Sequence, residues 1–242
     1  MITTEIRDEV GLIVLDRHEK RNALDVEHLD ALRAAVEKLA AAEVRALVVT
    51  GRGTSFCSGA DLGGVYGDGF RVALYGALRT ITALPVPVLA AVNGPAIGAG
   101  AQLAIACDLR VAAPSATFAV PTARNGLAVD PWTIRRLALL AGGGPARALL
   151  LGCENLDAEA ARRCGLADRT GSLDDALAWA TEIAGFAPLS LRYSKVALES
   201  LFEPEPWGPA LDEAFDACWR SEDFAESKLA RAEKRAPRFR GR

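Results

Sequence analysis

The sequence has no CxxC pair, and its five cysteines, Cys57, Cys107, Cys153, Cys164 and Cys218, are scattered and odd in number. That pattern argues against a disulfide framework and against a zinc site, and no metal is expected. Histidine is scarce. His18 and His28 are the only two, neither has a nucleophile-like context, and no Ser–His–Asp arrangement is readable. Both are expected at the surface. Charge of one sign is also lacking: the formal net charge is -3, so no broad basic field would attract nucleic acid or anionic lipid. The basic stretch 234–242 is the exception and reads as a solvated tail. The most apolar run, 85–92, is too short to cross a bilayer. The opening residues Met1-Ile2-Thr3-Thr4-Glu5 have neither a basic start nor an apolar core, so no signal peptide and a cytoplasmic location are expected.

What is present suits a folded α/β protein. The 242 residues are half hydrophobic and about a quarter charged, enough for one large domain, or one domain with a small appendage. Apolar runs predict strands over 2–6 and 11–15, joined by a turn near Asp8-Glu9, and a buried strand over 46–50. Val26, Leu29, Leu32, Val36 and Leu39 recur at helical spacing, with Asp25 available as N-cap. A helix over 70–83, a strand over 86–92, a helix over 97–107 and strands over 109–113 and 117–120 continue the alternation, which predicts largely parallel pairing. After Trp132 the pattern turns helical, over 133–141, 146–151, 158–164, 173–186, 189–202 and 209–232. Asp157 and Gly165 bracket one of these helices. No Ser/Gly-rich linker intervenes, so the helical third is expected to pack on the sheet, on a neighbouring subunit, or on both. The expected division is a core over 1–185 and a C-terminal helical region over 186–242. Trp132, Trp179, Trp207 and Trp219 read as packing residues, and Asp108 as structural.

Two segments follow strands with one logic: Phe56-Cys57-Ser58-Gly59-Ala60-Asp61-Leu62 and Asn93-Gly94-Pro95-Ala96-Ile97-Gly98-Ala99-Gly100. Small residues let a ligand approach the backbone. The first amides of a helix point outward, unpaired, at the positive end of its dipole. Two such amides meeting at one point would hold a carbonyl oxygen that gains negative charge. The glycines alone fit tight strand–helix turns equally well. Gly94, Gly98 and Gly100 also faintly suggest a dinucleotide loop, but the acidic residue expected at the end of the next strand is not evident.

At these segments the sequence resembles the enoyl-CoA hydratase/isomerase, or crotonase, superfamily, from about residue 5 to residue 241. Arg17-His18-Glu19-Lys20-Arg21-Asn22-Ala23-Leu24 is similar to the family's RPEKRNAL. Residues 56–62 are similar to its F-x-A/S-G-A-D-L, and 92–100 to its VNG-x-A-x-GGG. Asp157-Ala158-Glu159-Ala160 with Gly165-Leu166 is similar to its later A-x-E-A…GLV element. The resemblance implies a spiral of ββα units with a helical C-terminal trimerisation region, as trimers or hexamers. It implies that the amides of Ala60 and Ala99 hold the thioester oxygen; Ala99 stands where the family usually has glycine. It implies that Ser58, Ala60, Asp61 and Leu62 follow the adenine and pantetheine path, and that Lys20 and Arg21 approach the CoA phosphates. The exposed basic pair fits an ordinary loop as well.

Hydratases of the family use two glutamates, one in GGG-x-E-L and one in QPE. Here Gln102 and Thr122 stand at those positions. An amide and an aliphatic hydroxyl cannot exchange protons as a carboxyl does near neutral pH. Each general acid–base group contributes about 10²–10⁴-fold, so hydration at least roughly 10⁴-fold below a competent relative is expected. Gly126-Leu127-Ala128-Val129-Asp130 is similar to the GLAAD stretch of dienoyl-CoA isomerases, in which the aspartate is catalytic. Asp130 is therefore a candidate proton carrier, although a helix cap before Pro131 is the preferred reading of it.

The resemblance thus implies an acyl-CoA or enoyl-CoA ligand, no further cofactor, and a role in fatty-acid or lipid metabolism. It is strongest to short actinobacterial members that lack both glutamates and hold or deliver acyl-CoA to other lipid enzymes. An active hydratase or isomerase working through Asp130, and a partner-recruiting module with a vestigial pocket, are the alternatives.

Overall fold

Strands that bury both faces need a covering layer on each side, and the chain supplies it. The computed structural model describes residues 1–61, 68–202, 216, 217 and 219–238. Strands β1 (Ile2–Arg7), β2 (Val10–Leu15), β3 (Ala46–Gly51), β4 (Val88–Val92), β6 (Leu109–Ala112) and β9 (Arg169–Thr170) form a six-stranded sheet in the order β1-β2-β3-β4-β6-β9. The β1–β2 hairpin is antiparallel and every other pairing in this sheet is parallel. Strands β5 (Pro95–Ile97), β7 (Thr117–Ala119) and β8 (Asn155–Asp157) form a smaller second sheet. Single bridges, Leu24 to Ala60 and Cys57 to Ala96, extend its succession.

The two layers advance together. Each turn of chain gives one long strand to the large sheet, a short pairing to the second layer, and a helix. The helices are α1 (Val26–Ala41), α2 (Asp68–Thr82) and α3 (Ala99–Ala106). This is the ββα spiral. Along β2, β3 and β4, alternate residues face opposite ways, as the period of two requires. Ile13, Leu47, Val49 and Ala90 share a core with α1, α2 and α3. Val10, Leu12, Val48 and Leu89 face Ala176, Leu177, Ala180 and Ile183 of helix α7 (Leu173–Ala184).

Capping matches the residue types. The Asp25 side chain accepts from the His28 amide, Asp157 from Ala160, and Ser172 forms a capping box with Asp175. Helices α4 (Pro131–Ala141), α5 (Gly143–Leu150), α6 (Ala158–Cys164), α8 (Pro188–Glu199) and α9 (Glu222–Ala232) complete the described elements.

The structure corrects three expectations. The helix expected from residue 97 begins at Ala99, because Pro95–Ile97 is first committed to the second sheet: Cys57 N donates to the Pro95 carbonyl at 3.1 Å and Ile97 N to the Cys57 carbonyl at 2.9 Å. The region after Trp132 is not purely helical. β8 and β9 are three and two residues long, too short to carry a periodic signal, and are held by pairing with β7 and β6. His28 is half-buried rather than fully exposed. Its ring packs between Asp25 Oδ1 at 2.6 Å and the N-terminal amine at 3.1 Å, whereas His18 is exposed. Of the helix expected over 209–232, residues 209–215 and 218 lie outside the described residues, as do Leu62, Trp207 and Cys218.

Candidate functional site

Backbone contacts bring the two glycine segments together. Beyond the paired Cys57, Gly59 has φ +101, and a Cβ there would lie 2.7 Å from the Ile97 carbonyl oxygen and 3.7 Å from the Ala99 nitrogen. A Cβ on Gly100 would lie 2.1 Å from the Cys57 carbonyl oxygen, a distance only glycine permits. The Leu24–Ala60 bridge uses the Gly59 carbonyl and the Asp61 amide, so the Ala60 N–H turns to the opposite side. Ala99 opens α3, whose first internal bond runs from Gln102 N to the Gly98 carbonyl. The Ala99 N–H is thus one of the unpaired amides of a helix start. Ala60 and Ala99 line one cavity.

That cavity has a volume of about 130 Å³, smaller than the roughly 300–1,000 Å³ of a site that encloses a whole drug-sized ligand. It suits the reacting part of a larger molecule. Its apolar walls come from α2 (Phe70, Leu74) and from Leu127 and Val129. Arg71, whose guanidinium lies 4.7 Å from the centroid of the Trp219 ring, closes another side with Trp219. Gln102 and Thr122 both line it, and no Asp or Glu is among its described lining residues.

Asp130 stands behind Gln102. It N-caps α4, accepting from Thr133 N at 3.2 Å, with Pro131 in the first turn. It also accepts from Thr133 Oγ1 at 2.6 Å and from Gln102 Nε2 at 3.2 Å. Gln102 Nε2 donates in addition to Thr133 Oγ1 at 2.8 Å. Tyr75, on the cavity-facing side of α2, faces this cluster: burial, and then the charge of Asp130, push its phenol well above the usual tyrosine range. The wall therefore holds polar groups that keep their protons at neutral pH.

The 17–22 loop is laced to the first glycine segment. Lys20 Nζ lies 2.8 Å from Asp61 Oδ2, and Arg17 bridges Asp61 at 2.9 Å and Asp25 at 3.0 Å. Ser58 N donates to the Arg21 carbonyl, and Ser58 Oγ to the Lys20 carbonyl at 3.3 Å. Buried Asn22 fixes the loop from behind, donating to the carbonyls of Arg52 and Ser55. Ser58, Ala60, Ala99, Gln102 and Thr122 are thus gathered at the cavity. Asp61, Lys20 and Arg21 lie beside its wall, Asp130 behind it, and Leu62 outside the described residues. Sequence reasoning missed Arg17, Tyr75 and Thr133. Thr133 had a signal, since a hydroxyl three residues past a capping Asp faces back to it. Tyr75 had none beyond its place in a helical repeat.

Comparisons with known proteins agree with this architecture. The enoyl-CoA hydratase/isomerase family model matches residues 5–242. A Mycobacterium tuberculosis protein named "Probable enoyl-CoA hydratase echA6" is 47% identical over 242 residues, covering 100% of both chains. The short-chain-enoyl-CoA hydratase of Clostridium acetobutylicum is 30% identical over 249 residues, covering 97% of this chain and 95% of that one. Among solved structures, methylmalonyl-CoA decarboxylase superposes with a TM-score of 0.91 at 25% identity, covering 100% of this chain and 98% of that one. An enoyl-CoA hydratase/isomerase from Pseudoalteromonas atlantica superposes with a TM-score of 0.85 at 29% identity, covering 99% of each. The ββα spiral is thus the crotonase fold, and the chain belongs to the enoyl-CoA hydratase/isomerase family.

Proposed function

We propose that this protein binds an acyl-CoA thioester for fatty-acid or lipid metabolism and has little or no enoyl-CoA hydratase activity. One observation carries the reading: two unpaired amides, Ala60 and Ala99, line a cavity whose described lining holds no carboxylate. The amides serve as an oxyanion hole for the thioester oxygen. Lys20 and Arg21 face the CoA phosphates, and Ser58, Ala60, Asp61 and Leu62 follow the pantetheine and adenine. No cofactor beyond the CoA of the ligand is needed. Hydration takes a proton from water and gives one to carbon, and Gln102 and Thr122 supply neither step. The bound thioester is then held for other lipid enzymes. The protein assembles as a trimer or hexamer, a reading favoured by the exposed apolar residues Leu189, Tyr193 and Val196 at helical spacing on α8.

Calorimetry with a saturated acyl-CoA should show binding, and purified protein should hydrate crotonyl-CoA at least roughly 10⁴-fold more slowly than a competent relative. Turnover at several per second would overturn the second half of the reading. No binding at millimolar ligand would favour a partner-recruiting module instead.

The 3.2 Å contact between Gln102 and Asp130 favours one second reading, isomerisation or hydration with Asp130 as proton carrier. An unchanged residual rate in Asp130→Asn would exclude it.

A further inference from the structure

The geometry points to Gln102 as the residue that selects acyl groups carrying a hydroxyl on the third carbon, with Asp130 and Thr133 as its positioning residues. This deepens the acyl-thioester reading above and rests on it.

The direction of the hydrogen bonds decides which end of the Gln102 amide meets a ligand. A carboxylate offers only acceptors, so Thr133 Oγ1, 2.6 Å from Asp130 Oδ2, spends its proton there. The Thr133 oxygen can then only accept from Gln102, at 2.8 Å, and Gln102 also donates to Asp130 at 3.2 Å. The amide nitrogen is committed to this cluster, its two acceptors lying 2.6 Å from each other, and a flipped amide would set oxygen against oxygen. Gln102 Oε1 is consequently turned away from the cluster. Gln102 is only 4% exposed, yet Oε1 is neither bonded nor sealed off: the cavity is what it meets. The site thus presents an acceptor, held in place by a buried scaffold that contributes no proton.

Position sets which carbon faces it. Gln102 is three residues after Ala99 on α3, so the two lie on one helix face with Cβ atoms about 5–6 Å apart. With a thioester oxygen on the Ala99 amide, that spacing suits contact between Gln102 and an acyl carbon about two bonds beyond the carbonyl carbon. A methylene or vinyl carbon there leaves Oε1 dehydrated without a partner, which is the costly outcome for a polar atom. A hydroxyl satisfies it. Sites built around a hydroxyl discriminate against analogues that lack it.

The test compares three thioesters of one chain length by calorimetry on the wild-type protein: 3-hydroxyoctanoyl-, octanoyl- and 3-oxooctanoyl-CoA. One neutral hydrogen bond predicts that the hydroxy compound binds about 10-fold tighter than the saturated one. The 3-oxo compound, which only accepts, should bind at least about 10-fold more weakly than the hydroxy compound. In Gln102→Met and in Asp130→Asn the hydroxy-to-saturated ratio should fall toward about 1, folding being verified by thermal melts. Equal binding of the three compounds to the wild type, or a preference that survives in a folded Gln102→Met, overturns this inference alone. Failure of all three to bind overturns the acyl-thioester reading instead.

Discussion

Lys195 Nζ lies 2.8 Å from Asp108 Oδ2, so one side chain of α8 reaches through the protein to the residue that follows α3 and Cys107. The same ammonium donates to the carbonyls of Ile81 at 3.2 Å and Val86 at 3.0 Å, while Asp108 accepts from Val88 N at 2.7 Å. Burial raises the Asp108 carboxyl above its ordinary range, and Lys195 opposes that rise. Lys195→Met should strand the buried carboxylate and lower stability by about 3–5 kcal/mol. Adding Asp108→Asn should restore much of that loss. Urea melts of the two variants check this; a double variant no better than the single would refute the pairing.

Gln102→Glu should not simply create an acid. It would put a second carboxylate in place of the amide that now lies 3.2 Å from Asp130 Oδ2, and like charges that close raise one pKa. A folded-state pKa above the unfolded value contributes stability that is complete below the unfolded pKa and lost as pH rises through the folded one. The variant should therefore match wild type near pH 4 and fall behind by at least ~1 kcal/mol at pH 7. Thermal melts across that range test it.

Gly100→Ala should be costly out of proportion to one methyl group, because the added carbon would lie 2.1 Å from the Cys57 carbonyl oxygen and both are backbone-anchored. We expect a loss of about 3 kcal/mol together with loss of acyl-CoA binding, since separating the two segments moves the Ala60 and Ala99 amides apart. Retained affinity in a folded variant would show that the two segments need not touch.

Burial pushes the thiols of Cys57 and Cys107 up to about 12. In the unfolded chain a thiol titrates near about 8.5. The stability that each contributes is therefore whole below that point and declines as pH rises toward 12, by about 1.4 kcal/mol per pH unit for each thiol. Denaturant melts at pH 8, 9 and 10 should show the decline steepen toward this slope, and Cys57→Ala should remove about half of it. At pH 8, iodoacetamide should spare both residues while alkylating the partly exposed Cys164.

The framework was legible where one residue type decides a local structure. Asp25, Asp130, Asp157 and Gly165 announced helix ends, and the strand–helix alternation announced the parallel sheet. The ordered glycine segments announced where the cavity wall would form. What escaped were features with no period or composition of their own. β8 and β9 exist because neighbouring strands have free edges. His28 is covered because the first residue of the chain folds back over it. Thr133 and Tyr75 join Gln102 only through the spiral, which sets α2, α3 and the start of α4 side by side.

The cavity draws its wall from segments as far apart as Ser58, Gln102, Leu127 and Trp219. A fragment lacking any of these segments would not display the whole wall. Occupancy is therefore a gauge of global integrity: a ligand at 100 times its dissociation constant adds about 2.7 kcal/mol to unfolding. Binding at this cavity should therefore also raise the melting temperature of the whole protein.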